Sequence, residues 1–353
     1  MMDQPARAVL SVRDLTVEIP TRHGILRPVD GISWDIAAGE ILGVVGESGA
    51  GKSMTGNAVI GLLDRPARIA SGEVWLNGLR IDHLQGEEMR QLRGRHIGMV
   101  FQDPLTSLNP LLTVGEQITE TIREHLDVTA YEAEERAVRG LEEVGIPAAR
   151  ARLSAYPHEF SGGMRQRVVI ALALCAEPSL VIADEPTTAL DVSVQAQITA
   201  LLKRLARERG TAVMLVTHDM GVIAETVDRV AVMYAGRLAE LGPVREVLTE
   251  PAHPYTAGLM AATPLASMLA ARKAGATKAR LNQIPGAMPR LDAIPSGCAF
   301  SPRCPRAEGV CQRDPRPTVA DGGETGAACW FAEEVRREHI VAGEEATMAR
   351  VGP

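Results

Sequence analysis

The loop formed by residues 46–53 constrains the fold of this chain more than any other feature. Its sequence, GESGAGKS, fits the pattern G-x-x-x-x-G-K-[ST] at every position, directly after the apolar run 41–45 and before a segment of helical pattern. In this setting glycines let backbone N–H groups turn inward on phosphate oxygens, and the following helix N-terminus adds positive charge. The pattern predicts a phosphate-binding loop; the alternative is a glycine-rich turn without a ligand.

Each residue of this loop is a candidate for nucleotide binding. We expect Lys52 to reach the β- and γ-phosphates, and the Ser53 hydroxyl to coordinate Mg²⁺. The full set of candidates is Gly46, Glu47, Ser48, Gly49, Ala50, Gly51, Lys52 and Ser53.

Two adjacent carboxylates supply the second half of the predicted site. The apolar run 180–183 ends in Asp184 and Glu185, and open α/β sheets bind ligands at the carboxyl ends of their strands. We expect Asp184 to hold Mg²⁺ and Glu185 to polarise the attacking water as general base. Because strands often end in acidic residues, this signal is strong only in combination with the phosphate-binding loop.

Hydrophobic periodicity predicts an α/β fold with a parallel sheet. Apolar runs at 41–45, 180–183 and 212–216 are typical of strands buried on both faces. Residues 8–20 alternate apolar and polar, and 74–81 read as a hairpin around Asn77-Gly78. Between the buried runs, apolar residues recur at helical spacing in two segments, and the second segment is expected to end at Gly210. The residues at that spacing are Val114, Ile118, Ile122 and Leu126, and Ile198, Leu201, Leu202 and Leu205.

Composition narrows the class of protein. The 353 residues carry 37 Lys and Arg against 44 Asp and Glu, a net charge of −7, which disfavours a nucleic-acid partner. We find no run of 18 apolar residues, and the first twenty residues contain no apolar signal core. These patterns predict a cytoplasmic protein whose membrane role is peripheral.

A further glycine motif resembles a known family. Residues 159–167, EFSGGMRQR, look like the signature loop of ATP-binding-cassette (ABC) ATPases, with Met164 in place of the commonest Gln. A serine and two glycines at a helix start form an anion site. The resemblance implies that Ser161, Gly162 and Gly163 serve the γ-phosphate of ATP bound to an opposite subunit, in a head-to-tail pair.

Three more elements occur in the order of that family. Gln102 resembles the loop glutamine that senses Mg²⁺ and water and couples to the membrane partner. Asp191, in Ala189-Leu190-Asp191, resembles the loop that crosses the dimer interface, and His218 resembles the switch histidine that contacts the γ-phosphate. The resemblance thus implies Glu185, His218 and Gln102 as catalytic residues, and Ser53, Gln102 and Asp184 around Mg²⁺.

One position departs from the family. Its members stack adenine on an aromatic residue before the phosphate-binding loop, but residues 1–33 contain no Phe, Tyr or Trp. His23 lies at about that position, and Arg22 or Ile25 are the alternatives.

The resemblance extends to a subfamily. GESG at 46–49, QDPLTSLNP at 102–110, FSGGM at 160–164 and HPYT at 253–256 look like the ATPases of oligopeptide, dipeptide and nickel importers. Met164 suggests the D-type subunit. The resemblance implies an F-type ATPase as heterodimer partner, two integral-membrane permease subunits, an extracytoplasmic solute-binding protein, and a place at the cytoplasmic face of the inner membrane. Nickel, glutathione or another non-peptide solute remains open, as does a soluble ABC ATPase without a transport role.

Four cysteines near the C-terminus predict a metal site. The spacing is C-x5-C-x6-C-x17-C for Cys298, Cys304, Cys311 and Cys329. They lie in a Pro-rich segment, and we expect a bound metal rather than a hydrophobic core to order this segment. Four thiolates suit zinc or an iron–sulfur cluster, and the spacing does not choose between them. The resemblance implies a [4Fe–4S] cluster, with Zn²⁺, or free or disulfide-bonded thiols, as alternatives. Cys175 lies in an apolar run and is expected to be an inert core residue.

These observations predict an ABC-type P-loop ATPase with a RecA-like core, an antiparallel β subdomain, a helical subdomain and a small C-terminal extension. The predicted divisions are 1–245 for the ATPase domain, about 103–165 for its helical subdomain, 246–284 for a helical linker, 285–332 for the Cys-rich extension and 333–353 for a tail.

Overall fold

The structure, a computed structural model, describes residues 8–188, 190–263, 283–313, 319 and 325–338. Residues 264–282 of the predicted linker therefore lie outside the described residues, as do Ala189 and most of the tail. In the described ranges the strands are β1 (Leu10–Thr21), β2 (Gly24–Ile36), β3 (Ile41–Val45), β4 (Arg68–Leu76), β5 (Leu79–Arg80), β6 (Ile97–Val100), β7 (Leu180–Asp184), β8 (Ala212–Val216), β9 (Arg229–Tyr234), β10 (Arg237–Pro243) and β11 (Gly326–Ala327).

Helices separate most of these strands. They are α1 (Lys52–Val59), α2 (Gly86–Leu92), α3 (Pro104–Ser107), α4 (Val114–His125), α5 (Ala130–Glu143), α6 (Ala149–Arg152), α7 (Gly162–Leu174), α8 (Val192–Arg209), α9 (Met220–Thr226), α10 (Val244–Thr249) and α11 (Pro254–Ala261), with single 3₁₀ turns at Pro157–Glu159, Ser301–Arg303 and Gly309–Gln312. Among the described helices, none is long and apolar enough to cross a membrane.

A largely parallel sheet forms the centre of the fold. Across the described strands its order is β11-β10-β9-β3-β8-β7-β6, and all pairs from β9 to β6 are parallel. The three apolar runs of the sequence are β3, β7 and β8, and their side chains are buried apart from the half-buried Asp184. The predicted parallel α/β core is therefore confirmed.

A second, antiparallel sheet lies beside the first, with the order β2-β1-β4-β5 in the described residues. Its last turn is the predicted hairpin: Asn77 and Gly78 have φ values of 51° and 81°, the left-handed pair that a type I′ turn requires.

The helices α3 to α6 all fall between β6 and β7; α3, α4 and α5 pack on α7, and α6 packs on α5. Ile118 and Ile122 of α4 are buried against this group, as their spacing predicts. Thr113 and Thr129 begin α4 and α5 with capping boxes, in which each threonine and the glutamate three residues later satisfy each other's backbone N–H groups. These elements agree in position with the predicted helical subdomain, whose exact limits remain a proposal.

The C-terminal extension packs on the ATPase core. Its strand β11 pairs with the edge of β10, where Ala327 lies opposite Glu240. Phe300 is 2% exposed and contacts the rings of Tyr234 and Tyr255, at centroid distances of 5.2 and 5.4 Å. Sequence analysis predicted that this segment lacks a core of its own. In the structure it shares the core of the larger sheet instead.

Candidate nucleotide-hydrolysis site

The phosphate-binding loop connects β3 to α1, and its backbone requires glycine. Gly46 and Gly51 have φ values of 154° and 103°. A Cβ atom would lie 2.2 Å from the Met233 carbonyl oxygen at Gly46, and 2.2 Å from the Pro28 carbonyl oxygen at Gly51. Neither close approach admits a side chain, so the sequence motif fixes the path of the loop.

The Lys52 side chain folds back over this loop. Its Nζ donates to the carbonyl oxygens of Gly46 and Glu47, at 2.9 and 3.1 Å, and the residue is 6% exposed. Burial lowers the pKa of Lys52, an effect that the nearby carboxylates of Glu185 and Asp184 oppose. The ammonium group is thus held at the loop by backbone oxygens and two acidic neighbours.

Asp184 and Ser53 meet where β7 ends and α1 begins. The Ser53 hydroxyl donates to Asp184 Oδ1 over 3.0 Å. Burial raises the pKa of the Asp184 carboxyl above its ordinary value. A hydroxyl and a carboxylate are the hard oxygen donors that Mg²⁺ prefers, so this pair fits a magnesium ion.

Glu185 lies at the centre of a hydrogen-bond cluster. Its Oε2 accepts from Gln102 Nε2 at 3.1 Å and from Thr188 Oγ1 at 2.9 Å, and its Oε1 lies 3.1 Å from His218 Nδ1. Burial raises the pKa of Glu185, but the hydrogen bonds to His218 and Thr188 outweigh it and leave a net lowering. Its φ of 47° is an uncommon value for a residue with a side chain and marks backbone strain of the kind found at functional sites.

Lys52, Ser53 and Glu185 are among the residues that line a cleft of about 680 Å³. The cleft brings together the predicted phosphate loop, Gln102, Glu185 and His218 from separate parts of the chain. The described lining includes Ile19 and Pro28 but not His23, Arg22 or Ile25, the candidates of the sequence analysis for stacking on adenine. No Phe, Tyr or Trp is part of this described lining.

The signature loop lies elsewhere on the same chain. Ser161 caps α7 by accepting from the backbone N–H of Met164 at 3.4 Å, and Ser161 and Gly162 are exposed. A Cβ atom at Gly163 would lie 2.7 Å from Val194 Cγ1, so the loop packs against the start of α8. Asp191 caps that helix and is also exposed. The described lining of the cleft includes none of these residues.

Sequence analysis missed several contacts of the site. Thr188 was not singled out, although its hydroxyl orients Glu185. Tyr255 was noted only within the HPYT motif, yet its Oη accepts the backbone N–H of Glu47 at 2.9 Å. Arg303 was missed entirely, and its guanidinium pairs with the Glu47 carboxylate. The HPYT motif was the only signal for these tertiary contacts.

The four C-terminal cysteines line one small apolar cavity of about 10 Å³. Within the described residues, no three or more His, Cys, Asp or Glu side chains lie close enough to hold a metal ion. Burial raises the pKa of Cys329 to about 11, and it also raises the pKa values of Cys298 and Cys304. Cys175 packs against the core as predicted, and burial raises its pKa to about 12.

Comparison with known families agrees with this geometry. A family described as "ABC transporter" matches residues 29–188, and one described as "Oligopeptide/dipeptide transporter, C-terminal region" matches residues 239–311. The oligopeptide transport ATP-binding protein OppD of Salmonella typhimurium is 49% identical over 312 residues, 88% of this chain and 90% of that protein. The dipeptide transport ATP-binding protein DppD of Bacillus subtilis is 44% identical over 340 residues, 96% of this chain and 98% of that protein.

Solved structures show the same cassette. A dimeric, post-hydrolysis structure of the ATP-binding cassette MJ0796 with ADP and Pi matches with a TM-score of 0.60 and 29% identity, over 67% of this chain and 99% of that one. The structure of cbiO1 from Clostridium perfringens matches with a TM-score of 0.59 and 28% identity, over 69% of this chain and 91% of that one. The fold and the site thus define an ATPase of the ATP-binding-cassette class. This chain belongs to the ABC transporter ATP-binding proteins of the oligopeptide/dipeptide transporter family.

Proposed function

We propose that this chain hydrolyses ATP to power the import of di- or oligopeptides through a permease, from the cytoplasmic face of the membrane. The observation that carries the proposal is the cleft in which the phosphate loop, Asp184, Glu185, Gln102 and His218 converge. The substrate class is inferred from relatives whose names specify oligopeptide or dipeptide transport.

The proposed chemistry needs no covalent intermediate. Lys52 and the loop amides bind the phosphates. Ser53, Asp184 and Gln102 would hold a Mg²⁺ ion, which would supply positive charge against the charge that develops on the phosphates. Glu185 accepts the proton of the attacking water, and its lowered pKa keeps it ionised for that task. His218 and Gln102 hold the carboxylate from both oxygens, which fixes the direction from which water attacks.

The signature loop is proposed to act in a second subunit. Ser161, Gly162 and Gly163 serve the nucleotide of the partner, because in their own chain they are not part of the cleft lining described above. The exposure of Val192 (83%), next to Asp191, supports a contact surface here. We propose an F-type paralogue as partner in a head-to-tail heterodimer.

The permease is proposed to dock near Gln102. Large apolar side chains that a monomer leaves in solvent mark interaction surfaces. Phe101, Leu105 and Leu111 are 44%, 64% and 82% exposed on the segment that follows β6. Because Gln102 bonds to Glu185, a movement of this segment reaches the catalytic carboxylate. The permease contact and the hydrolysis site are thereby coupled.

We also propose that Cys298, Cys304, Cys311 and Cys329 bind a [4Fe–4S] cluster, with Zn²⁺ as the alternative. All four thiols surround one cavity, and backbone N–H groups of Arg306 and Phe331 donate to Cys304 Sγ and Cys329 Sγ, both at 3.4 Å. Such bonds stabilise thiolate ligands. Four thiols around one cavity are the donor set that a [4Fe–4S] cluster or a zinc ion takes. A bound cluster would cross-link the segments of the extension that carry the four cysteines.

An uptake assay tests the proposed function. In a strain lacking this chain, the wild-type protein should restore uptake of a labelled tripeptide and should co-purify with two integral-membrane proteins. Lys203→Ala is the matched control, because this exposed lysine bonds the Glu225 carbonyl far from the cleft. Restoration of nickel or glutathione uptake without peptide uptake would refute the peptide assignment. Absence of any membrane partner would favour an ABC ATPase outside transport.

A further inference from the structure

The C-terminal extension lies directly against the phosphate-binding loop. Arg303 Nη1 donates to both carboxylate oxygens of Glu47, at 3.0 and 2.9 Å. The side chains of Arg303 and Glu47 are only 6% and 28% exposed. Glu47 is the second residue of the loop, so a residue of the extension holds the loop itself by a largely buried ion pair.

Arg303 is itself fixed on the side away from the loop. Its Nε donates to the Pro285 carbonyl at 2.9 Å and its Nη2 to the Ile284 carbonyl at 3.3 Å, while Nη1 also reaches Tyr234 Oη at 3.3 Å. A planar guanidinium with several fixed donors has little freedom left to move. Because its guanidinium is fixed in this way, Arg303 holds the Glu47 side chain in position.

The backbone of Glu47 is held as well. Tyr255 Oη accepts the Glu47 N–H at 2.9 Å, and Tyr255 is fully buried. Two residues further along the loop, the Met288 side chain lies beside Gly49, with its Cε 3.1 Å from the position of a Cβ atom there. The loop thus contacts residues after 250 at three points.

The extension also contributes an apolar wall to the cleft. The polar lining of the cleft consists of groups that suit phosphate, magnesium and water. Ile19, Pro28 and Leu291 are apolar members of the same lining. Leu291 comes from the extension and is half-buried. Because the purine is the large apolar part of ATP, and the described lining contains no Phe, Tyr or Trp, aliphatic side chains are left to pack against it.

We propose that the C-terminal extension completes the nucleotide site, with Arg303 as a positioning residue for the phosphate-binding loop and Leu291 as a binding residue for the base. The inference rests on the proposed nucleotide site. It assigns two separable tasks, because Arg303 acts on the part of the loop that holds phosphate and Leu291 acts on the base.

Competition binding with the full-length protein separates these tasks. A fluorescent ATP analogue is displaced by ATP or by inorganic tripolyphosphate, which has phosphates but no base. Arg303→Gln should raise the Kd of both competitors about tenfold, as expected for losing a hydrogen-bonded charge partner. Leu291→Ala should raise the Kd of ATP about fivefold through lost apolar contact and leave that of tripolyphosphate unchanged.

A double-mutant cycle tests whether Arg303 acts through Glu47. Glu47→Gln should weaken ATP binding as Arg303→Gln does, and the double variant should be no weaker than either single variant. Additive losses would show that Arg303 acts by another route, for example through the neighbouring Cys304, and would overturn its assignment. Arg290→Gln is the matched control, since Arg290 is 84% exposed in the same segment and pairs only with Asp292 among the described residues.

Steady-state kinetics provides a readout that general destabilisation would not move. In the assembled transporter, Arg303→Gln should raise the KM for ATP with kcat unchanged, because the lost contact holds ground state and transition state alike. If Arg303→Gln does not fold, Glu47→Gln and Leu291→Ala carry the test. Wild-type affinity in these variants would refute the inference if Lys52→Ala still raises the Kd for ATP about a hundredfold. Wild-type affinity in Lys52→Ala as well would refute the proposed nucleotide site itself.

Discussion

His218 Nδ1 lies 3.1 Å from Glu185 Oε1, although 33 residues separate the two in the chain. They meet because β7 and β8 are parallel neighbours, so the residues that follow both strands lie at the same edge of the sheet. The side chain of Glu185 is 17% exposed and that of His218 is 65% exposed. His218 therefore faces the cleft, and Glu185 lies behind it.

Replacing Glu185 by glutamine should stop hydrolysis without preventing ATP binding. Glutamine keeps the size of the side chain but cannot take a proton from water, and a general base contributes about 10²- to 10⁴-fold to rate. We expect a loss of kcat in that range, measured as phosphate release in the assembled transporter. The Kd for ATP should change little, and the variant should accumulate in an ATP-bound dimer on size-exclusion chromatography. Normal turnover in the assembled transporter would contradict the role of Glu185.

Lys52→Ala should fail at an earlier step. The ammonium group, held at the loop by the Gly46 and Glu47 carbonyls, is proposed to bind phosphate in the ground state. Its removal should raise the Kd for ATP about a hundredfold, the upper range for losing a charged hydrogen-bond donor. Fluorescence titration measures the change. Lys203→Ala should bind like the wild type, and equal affinity in both variants would rule out this function of Lys52.

The local parts of the site could be predicted from sequence, and the tertiary parts could not. The glycines of residues 46–53 determine the conformation of that loop. Glu185 and His218 come together because they follow the parallel neighbouring strands β7 and β8. Arg303 and Tyr255 instead reach Glu47 across 256 and 208 residues. No local pattern encodes such contacts, because they depend on where the extension packs. The position of Leu291 in the cleft lining was missed for the same reason, because Leu291 belongs to the extension.

Activity should depend on a second subunit. Because the proposed signature residues do not line the cleft of their own chain, specific ATPase activity should rise with protein concentration or on adding the second ATPase subunit. Ser161→Arg should abolish this rise by placing a bulky cation at the interface. Ser154→Arg, at an exposed serine before the signature loop, is the control. A specific activity that stays constant down to a dilute monomer would be incompatible with a shared site.

Two glycines should respond to alanine in opposite directions. At Gly140, inside α5, an added Cβ meets no heavy atom within 4 Å, so Gly140→Ala should raise the free energy of unfolding by about 1 kcal/mol. At Gly98, in β6, the Cβ would lie 2.2 Å from the Ala173 carbonyl oxygen. Gly98→Ala should therefore lower that free energy by about 1–3 kcal/mol. Urea denaturation measures both, and a stabilising Gly98→Ala would show that the β6–α7 packing is looser than described.

The four C-terminal cysteines should determine the colour and metal content of the protein. If Cys298, Cys304, Cys311 and Cys329 bind [4Fe–4S], protein purified without oxygen should be brown, absorb broadly at about 400 nm, and contain iron and sulfide in equal amounts. Changing any one of the four to serine should bleach the protein and increase proteolysis of the extension, because the cross-link is lost. Cys175→Ser is the control, since that half-buried thiol lies outside the cavity and should leave the colour intact. A colourless protein with one zinc per chain would replace the cluster by zinc. A metal-free protein with a protease-resistant extension would remove the metal site, and the packing of Phe300 on Tyr234 and Tyr255 would then suffice to hold the extension in place.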